Sequence, residues 1–555
     1  MAPSSDDCGW LLYLSLAAKC GDPHRLLGLA AVFAAAFLLT ALLHWASPGG
    51  PAWGWYWWAR KAGLGIITGG GAAIPGPRGL PVLGSMGLMT GLAHRKLAAA
   101  AASGGDKAAR RRLMAFSLGE TRVVVTADPD VARELLASAA FADRPVKESA
   151  YGLLFHRAIG FAPHGAYWRS LRRVATNHLF SPRQVAASAA QRAAIARQMV
   201  AAMSSEGGGV TTAPRRFLKR ASLHNVMWSV FGRRYELLAG GEEAAELKSL
   251  VDEGYDLLGQ LNWSDHLPWL ARLDLQRTRA RCAALVPRVN RFVARIIHDH
   301  RARAGDGNSD SAVTDFTDVL LSLQGADKLS DADMIAVLWE MIFRGTDTVA
   351  VLMEWVLARL VLHQDVQSRV HEELDRVVGP GRAVTESDTA SLVYLQAVIK
   401  EVLRLHPPGP LLSWARLATS DVHVGGYLVP AGTTAMVNMW AITHDPAVWS
   451  HPEEFKPERF VPGGSSDDHA GGDEFSVMGS DLRLAPFGSG RRSCPGKSLA
   501  MATVGFWLAT LLHEFKWLPV SDEDPTRGVH LSEVLRLSCE MAVPLEARLL
   551  PRHAA

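Results

Sequence analysis

Cysteine is scarce in this chain, and neither sign of charge prevails. Only 5 of the 555 residues are cysteine, and no two of them form a C-x-x-C pair, which argues against a disulfide scaffold, a zinc site or a thioredoxin motif. The 58 lysines and arginines nearly balance the 55 aspartates and glutamates, so the surface as a whole lacks the charge of a nucleic-acid-binding protein. The chain also lacks internal repeats. Its 48% hydrophobic and 20% charged residues are typical of a globular protein rather than a disordered or fibrous one.

Only one apolar run is long enough to cross a membrane. It extends from Leu26 to Ala46, and His44 is its single titratable group. At 1.5 Å per residue, such a helix reaches about 30 Å, the thickness of the hydrocarbon core of a bilayer. The alternative is a cleaved signal peptide, because Ala46 and Ser47 are small, but the run exceeds the usual length of a signal-peptide core. The sequence therefore predicts a transmembrane anchor over residues 26–46.

The flanks of this run leave two questions open. Lys19 and Arg25 precede it, and Arg60 and Lys61 follow it, so the count of nearby positive charges does not decide the orientation. Aromatic residues follow the run closely, and they suit either an aromatic belt at a membrane surface or a packed loop: Trp53, Trp55, Tyr56, Trp57 and Trp58.

The chain divides into four parts. Residues 1–25 form a short N-terminal segment, 26–46 the anchor, 47–81 a linker and 82–555 one soluble domain. The linker ends in Pro75-Gly-Pro-Arg-Gly-Leu-Pro81, where prolines with a fixed φ angle flank glycine, so we expect a stiff hinge there.

Helix signals dominate the soluble part. Ser330 and Asp333 resemble a capping box, and no proline follows before Pro380, which predicts a helix of about 50 Å from Asp331 to His363. A second helix is predicted from Leu392 to Leu405, because Pro407 and Pro408 would end it. The region 422–432 carries strand and turn signals instead, so a small sheet is expected late in the chain.

The most specific motif lies near the C-terminus. Phe487-Gly-Ser-Gly490-Arg-Arg492-Ser-Cys494-Pro-Gly496 matches the pattern F-x-x-G-x-R-x-C-x-G at every fixed position. A dinucleotide-binding loop does not fit, since Ser493 stands where a third glycine would be required, and a buried structural cysteine is the remaining alternative. The motif resembles the haem-binding loop of the cytochrome P450 monooxygenases. The resemblance implies that Cys494 is the axial ligand of haem iron and that Phe487, Gly488 and Gly496 shape the loop around it.

Two further motifs resemble supporting elements of this family. Glu401 and Arg404 share a helix face at i, i+3 spacing, which by itself favours a surface ion pair worth less than ~1 kcal/mol. Pro457-Glu-Arg459-Phe460 resembles the P-E-R-F segment of the family, which implies that Glu401, Arg404 and Arg459 form a buried triad that braces the haem loop and has no catalytic role.

The expected haem propionates need cationic partners. Trp168-Arg-Ser-Leu-Arg172 resembles the W-x-x-x-R helix of the family, whose tryptophan and arginine contact a propionate. Arg492 and Arg416 complete this expected set, because arginine suits carboxylate ligands.

The predicted long helix carries Arg344-Gly-Thr-Asp347-Thr348, which resembles the oxygen-binding motif A/G-G-x-D/E-T. The resemblance implies that Thr348 hydrogen-bonds bound dioxygen and that Asp347 delivers protons. Arg344 departs from the pattern, since a small residue is usual there. We expect Arg344 either to attract a substrate with a carboxylate or other polar anchor, or to form a salt bridge with Glu340 one turn earlier. Phe155 and Phe161 fall in the stretch where this family usually contacts substrate.

The resemblance implies a mainly α cytochrome P450 fold with a small β-rich subdomain, preceded by a single N-terminal transmembrane helix. The resemblance extends to the plant 78A subfamily of KLUH-like and PLASTOCHRON-like growth regulators. Residues 343–349, 485–497 and 9–13 carry this closer resemblance. We therefore expect a monooxygenase that contains haem b (iron protoporphyrin IX), uses dioxygen and acts on a lipophilic small molecule such as a fatty acid, with a product that regulates organ, leaf or seed growth.

The same resemblance implies partners and a location. NADPH would act only through a separate NADPH–cytochrome P450 reductase, which could dock on a basic patch of Arg483, Arg491, Arg492 and Lys497. The catalytic domain would face the cytosol from the endoplasmic reticulum membrane, with the N-terminal segment in the lumen. Two alternatives remain: a haem-binding sensor or carrier without turnover, and an isomerase of the same fold that uses preformed peroxides.

Overall fold

Helices form most of the chain, and short strands form the rest of its regular structure. A computed structural model describes residues 23–61, 72–103, 106–206, 211–235, 241–305, 315–412, 415–463, 475–479 and 481–553. The helices of these residues are α1 (Pro23–Trp45), α2 (Pro51–Lys61), α3 (Ala93–Ala102), α4 (Lys107–Arg112), α5 (Pro129–Ala137), α6 (Glu148–Gly152), α7 (Ala166–His178), α8 (Pro182–Ala187), α9 (Ala189–Ser204), α10 (Arg215–Phe231), α11 (Glu242–Gly259), α12 (Thr278–Gly305), α13 (Phe316–Ser322), α14 (Asp331–Leu362), α15 (Gln364–Val377), α16 (Val393–Leu405), α17 (Met439–Thr443) and α18 (Lys497–Glu514).

The strands are β1 (Met114–Leu118), β2 (Thr121–Thr126), β3 (Thr211–Thr212), β4 (Arg416–Leu417), β5 (Val422–Val424), β6 (Tyr427–Val429), β7 (Thr434–Val437), β8 (Phe515–Leu518), β9 (Glu533–Leu535), β10 (Cys539–Met541) and β11 (Ala547–Pro551). The largest sheet has the order β1-β2-β7-β4, in which β2 and β7 run parallel. The expectation of a mainly helical fold with a small β part is confirmed.

Helix α14 is the central element of the helical core. The Ser330 hydroxyl accepts a hydrogen bond from the Asp333 amide at 3.2 Å, as the predicted capping box requires. The helix ends at Leu362, one residue before the predicted end. Most of its side chains are buried, and it packs along α10. This placement carries residues 344–348 into the middle of the domain.

The second predicted helix and the late sheet are also present. Helix α16 begins at Val393, one residue later than predicted, and ends before the prolines at 407 and 408. Strands β5 and β6 form an antiparallel pair, with Val422 opposite Val429. Strand β4 lies at the edge of the largest sheet, where Arg416 pairs in register with Ala435 of β7.

The N-terminal part of the described chain contains two helices. The predicted span falls almost entirely in α1, which exposes several large apolar side chains, including Val32, Phe33, Phe37 and Leu39. Across the described residues, no helix meets the length and hydropathy needed to cross a membrane. The transmembrane anchor therefore stays a prediction. Of the charges used for the orientation argument, Lys19 lies outside the described residues.

The segment after α1 packs onto the largest sheet. Trp53 on α2 is fully buried, and its indole N–H donates to the Phe116 carbonyl of β1 at 3.1 Å. The Ser117 hydroxyl donates to the Gly49 carbonyl at 2.7 Å and accepts from the Ala52 amide at 3.1 Å. Trp53 thus fits the packed alternative, whereas Trp55 and Trp58, on the same helix, are more than half exposed.

The Pro/Gly segment is hydrogen-bonded to its neighbours on both sides. The Ala115 amide of β1 donates to the Pro75 carbonyl at 2.9 Å, and the Trp45 indole N–H donates to the Gly79 carbonyl at 2.7 Å. A Cβ on Gly76 would lie 1.7 Å from the Ala115 carbonyl oxygen, so this close approach to β1 requires glycine. The segment lies against the sheet and against the end of α1.

Candidate active site

The Cys494 loop lies immediately before α18. The Cys494 amide donates to the Phe487 carbonyl at 2.9 Å, which closes the loop, and Gly488 and Gly490 adopt φ angles of +65° and +68°. A Cβ on Gly490 would meet the Leu136 carbonyl oxygen at 2.0 Å, so both conformation and space require glycine. Lys497 begins α18, and the sulfur therefore lies near the positive end of an 18-residue helix.

Opposing effects act on the Cys494 thiol. Burial raises its pKa, while the Gly496 amide and the positive charges of Arg344, Arg172 and Lys497 oppose that rise. Helix N-termini and nearby cations are the features that stabilise a thiolate in proteins. The loop therefore presents a sulfur whose anionic form has electrostatic support and which a metal could stabilise further.

A cavity separates this loop from α14. Phe487, Gly488, Cys494 and Gly496 line one part of its wall, and Arg344, Gly345 and Thr348 of α14 line another. The structure therefore brings together the expected iron ligand and the expected oxygen-binding threonine around one space.

Asp347 points away from this cavity. Its carboxylate lies 3.3 Å from the Lys219 ammonium of α10, which also lies 3.1 Å from the Glu540 carboxylate of β10. Burial raises the pKa of Asp347, while Lys219 lowers it. Successive residues of a helix project about 100° apart, which is why Thr348 can line the cavity while Asp347 meets another helix.

Arginines make the cavity wall strongly cationic. Five of the lining residues are arginine and one is glutamate: Arg144, Arg172, Arg344, Arg416, Arg492 and Glu340. Burial, together with the charges of Arg492 and Arg172, lowers the pKa of Arg416 to about 9. No hydrogen-bond or ion-pair partner of the Arg416 guanidinium is found among the described residues, although this side chain is buried.

The arginines and Cys494 of this cavity fit the haem that the resemblance implies. A buried guanidinium without a counter-charge is costly, and an anionic ligand beside Arg416 would offset that cost. Haem carries two propionates and an iron that binds thiolate, which match the arginines and Cys494 of one cavity. Arg172 lies next to the cysteine loop, where its guanidinium donates to the Ser493 carbonyl.

Arg492 and Trp168 are engaged with the protein itself. The Arg492 guanidinium donates to the carbonyls of Ala142, Ile159 and Ala162 at 2.9, 3.2 and 2.7 Å. It also lies over the Trp168 ring, 4.2 Å from the centroid. Arg492 still lines the cavity, but Trp168 does not, because its indole N–H donates to the Ile159 carbonyl at 2.9 Å. Both side chains therefore secure the loop around residue 160 at the cavity edge.

Arg344 combines both expected features, since it lines the cavity and pairs with Glu340. The Arg344 Nε lies 3.4 Å from Glu340 Oε1, and the Gly160 amide donates to both Glu340 oxygens at 2.8 and 3.0 Å. Glu340 is fully buried, and burial raises its pKa.

Phe155 and Phe161 do not line this cavity. Both are buried in the apolar core formed with α10, α11, α12 and α14. The Phe155 ring contacts that of Phe343, with centroids 5.5 Å apart. Their position therefore does not fit the expected contact with substrate, because core side chains surround both rings.

The expected triad is assembled and almost completely buried. Two Arg404 nitrogens donate to the two Glu401 carboxylate oxygens at 2.8 Å, and the Arg459 Nε lies 3.5 Å from Glu401. Arg404 also donates to the carbonyls of Thr443, Pro452 and Glu454. The triad thus ties α16 to the segment between residues 443 and 459. Removing one partner from such a buried pair costs about 3–5 kcal/mol.

Sequence reasoning missed several residues around this site. Lys219 and Tyr255 contact α14 from distant parts of the chain, and Glu540 pairs with Lys219. Arg144 lines the cavity. Glu340 was expected only as a partner of Arg344, not as an acceptor for Gly160. No motif marks these residues, because each acts through a contact across more than a hundred positions or through a backbone group.

Comparisons with known proteins agree with the geometry. A family model described as Cytochrome P450 matches residues 74–541. Cytochrome P450 78A9 of Arabidopsis thaliana is 61% identical over 549 residues, which cover 98% of each chain. Cytochrome P450 78A3 of Glycine max is 58% identical over 554 residues, which cover 100% of each chain. Flavonoid 3'-monooxygenase of Arabidopsis thaliana is 36% identical over 492 residues, covering 86% of this chain and 92% of that protein.

The raised pKa of Asp347 predicts a pH-dependent stability difference. Because the folded-state pKa lies above the ordinary value of 3.8, ionisation of this carboxyl costs folding free energy as the pH rises through the folded-state pKa. We expect Asp347→Asn to raise the free energy of unfolding at neutral pH by roughly 1 kcal/mol per unit of pKa shift. This gain should shrink as the pH falls.

Urea denaturation at several pH values measures this difference. Glu523→Gln is the control, because Glu523 is exposed and is not among the charges that act on Asp347, so this change should affect stability little. An Asp347→Asn protein that is less stable than the original at neutral pH, or equally stable at every pH, would contradict the prediction.

Proposed function

The chain belongs to the cytochrome P450 family, and from this premise we propose a membrane-anchored monooxygenase that inserts one oxygen atom of dioxygen into a lipophilic small molecule. Cytochrome P450 monooxygenases contain haem and receive electrons from a redox partner. The relatives that share high identity with this chain are 78A cytochromes P450. The finer statements below are our proposals.

One observation carries the assignment: Cys494 and Thr348 line the same cationic cavity from opposite elements. When bound, haem supplies the activation of dioxygen, with thiolate ligation favouring cleavage of the O–O bond. The protein residues bind this group, orient it and move protons. We assign the iron-ligand position to Cys494 and the propionate contacts to Arg172 and Arg416.

Proton transfer falls to the two neighbouring residues of α14. Thr348 lines the cavity, so its hydroxyl can donate a hydrogen bond to a ligand bound there. Asp347 faces Lys219 and Glu540, a charged pair that leads from the helix toward β10. A carboxyl with a raised pKa can accept and release a proton nearer neutrality than an ordinary one. We assign it the role of passing protons from this pair toward Thr348.

Electrons would arrive from NADPH through a separate reductase that docks on the side of the cysteine loop. Arg491 is exposed there, and Arg483 and Lys497 lie close by in the chain. Arg492 does not contribute to this surface, because it is buried against the carbonyls of the cavity edge. Opposite charges on the two partners would speed their encounter.

The first test uses Cys494. We expect membranes bearing the protein and an NADPH-dependent reductase to incorporate one atom of isotope-labelled dioxygen into an added saturated fatty acid of medium or long chain. Cys494→Ala should abolish this product and the ferrous carbonyl spectrum of a thiolate ligand. Product formation without NADPH, or a nitrogen-type spectrum in the original protein, would contradict the proposal.

The growth role rests on the resemblance to the 78A subfamily. We propose that the product is a signal that controls organ, leaf or seed size in plants. Expression of the original protein should then change organ size, and Cys494→Ala should not. If both proteins change organ size equally, growth control does not depend on oxidation, and the proposed growth role is refuted.

The substrate should carry an anionic group. Two haem propionates would neutralise two of the five cavity arginines, and Glu340 pairs with Arg344. Net positive charge therefore remains on Arg144 and Arg492, close enough to Arg344 for their charges to interact. Arg344 lies one helical turn before Thr348 and so borders the place where oxygen would react. A carboxylate held by Arg344 would orient the rest of a lipophilic chain.

Replacing Arg344 tests this specificity. We expect Arg344→Gln to reduce the preference for a fatty acid over its methyl ester, measured as the ratio of kcat/KM values, by about tenfold, because a hydrogen bond to a charged group contributes about 1.5–3 kcal/mol. Turnover of the ester should change little. Arg169→Gln, an exposed change on α7, is the control. An unchanged acid-to-ester ratio would refute the proposed anchor.

We further propose that α1 anchors the protein in the endoplasmic reticulum membrane, with the catalytic domain in the cytosol. Its 23 residues extend about 35 Å, and its exposed side chains are mostly apolar. The location and the orientation follow from the family resemblance.

Removal of residues 1–46 tests the anchor. We expect the full chain to resist alkaline carbonate extraction of membranes, and the shortened chain to be extracted, because its apolar span is gone. The shortened chain keeps Trp53 and the contacts of α2 with the sheet, so its ferrous carbonyl spectrum should persist. Equal resistance of both chains would refute α1 as the anchor.

A further inference from the structure

Two side-chain hydroxyls meet successive carbonyl groups of α14. The Thr346 hydroxyl donates to the Ile342 carbonyl at 2.6 Å, and the Tyr255 hydroxyl donates to the Phe343 carbonyl. Gly345 lies in this same turn and lines the cavity. The extra donors therefore act where the helix passes the cavity.

Tyr255 reaches this position from α11. Its ring stacks on that of Phe343, with centroids 4.3 Å apart and planes at 17°. Burial raises the pKa of the Tyr255 hydroxyl well above its ordinary value, so it remains a protonated donor.

The Phe343 carbonyl is the regular helical acceptor for the Asp347 amide, four residues later. The Tyr255 hydroxyl is thus a second donor to the carbonyl that the Asp347 amide uses. A side chain that inserts into the ladder of a helix weakens or bends it there, and a threonine bonded to the preceding turn acts in the same direction. Gly345 adds to this, because glycine weakens a helix interior by about 0.5–1 kcal/mol relative to alanine.

Gly345 packs closely against a neighbouring helix. A Cβ at this position would lie 2.5 Å from a Val226 methyl carbon, so α10 approaches the helix closely there. Lys219 of the same helix pairs with Asp347. This turn therefore lies between α10 on one side and Tyr255 of α11 on another.

We propose that Tyr255 is a positioning residue, whose hydroxyl loosens α14 at Gly345 and thereby sets the relative orientation of Thr348 and Asp347 for proton delivery. This role rests on the proposed monooxygenase function. The ring stacking alone does not require it, since phenylalanine would preserve that contact. The hydroxyl is the part that acts on the backbone.

Hydrogen exchange of the haem-loaded protein tests the effect on the helix. Tyr255→Phe should slow exchange of the amides of residues 345–348 by about threefold, because the Phe343 carbonyl would then serve only the Asp347 amide. Thr346→Val should act in the same direction at the preceding carbonyl. Unchanged or faster exchange in Tyr255→Phe would overturn the proposal, since a hydroxyl that merely stabilises the helix predicts faster exchange on its removal.

The control is Tyr394→Phe, which removes a hydroxyl that donates to Glu458 on another part of the protein. It should leave the exchange of residues 345–348 unchanged. The ferrous carbonyl spectrum of each variant confirms that the protein is folded and loaded.

The functional readout is the fraction of NADPH that ends as hydrogen peroxide instead of product, measured with a saturated fatty acid as probe. We expect Tyr255→Phe to raise this fraction about twofold or more, because protons would reach the site less reliably. Slower exchange with an unchanged peroxide fraction would overturn the positioning role. If the original protein itself forms no product, the proposed function fails, whereas the exchange result still decides whether Tyr255 loosens the helix.

Discussion

A group of buried guanidiniums around one thiol is the constraint on which the rest of this structure depends. Arg144, Arg172, Arg416 and Arg492 surround the space beside Cys494, and burial lowers the pKa of each arginine. Charges removed from water must be compensated, and the protein compensates some of them with backbone carbonyls. Arg416 has no such partner among the described residues, so the site is complete only with an anionic ligand.

Helix α14 separates two kinds of chemistry. Thr348 lines the cavity, whereas Asp347 contacts the partly buried Lys219, which pairs with Glu540. The two side chains are neighbours in the chain, yet they face different surroundings, because a helix turns about 100° per residue. The helix therefore borders the cavity on one face and a pair of charged side chains on another.

Supporting contacts hold this arrangement from a distance. The triad of Glu401, Arg404 and Arg459 ties α16 to the segment that leads to the cysteine loop. At the other end of the chain, Trp53 fixes α2 to the largest sheet. The residues of α2 are thus part of the folded domain.

The amino-acid sequence by itself determined the local elements of this protein. The glycines and Cys494 define a loop, Ser330 begins α14, the prolines at 407 and 408 end α16, and the spacing of Glu401 and Arg404 places them on one face. These features depend on dihedral angles and on hydrogen bonds between near neighbours, which short motifs encode. Only the tertiary structure decided that Phe155 and Phe161 lie in the core and that the Trp168 indole donates to the Ile159 carbonyl. It also decided that Lys219 and Tyr255 contact α14. These contacts join residues that the packing of helices brings together, and no local pattern records which side chain a distant helix will present.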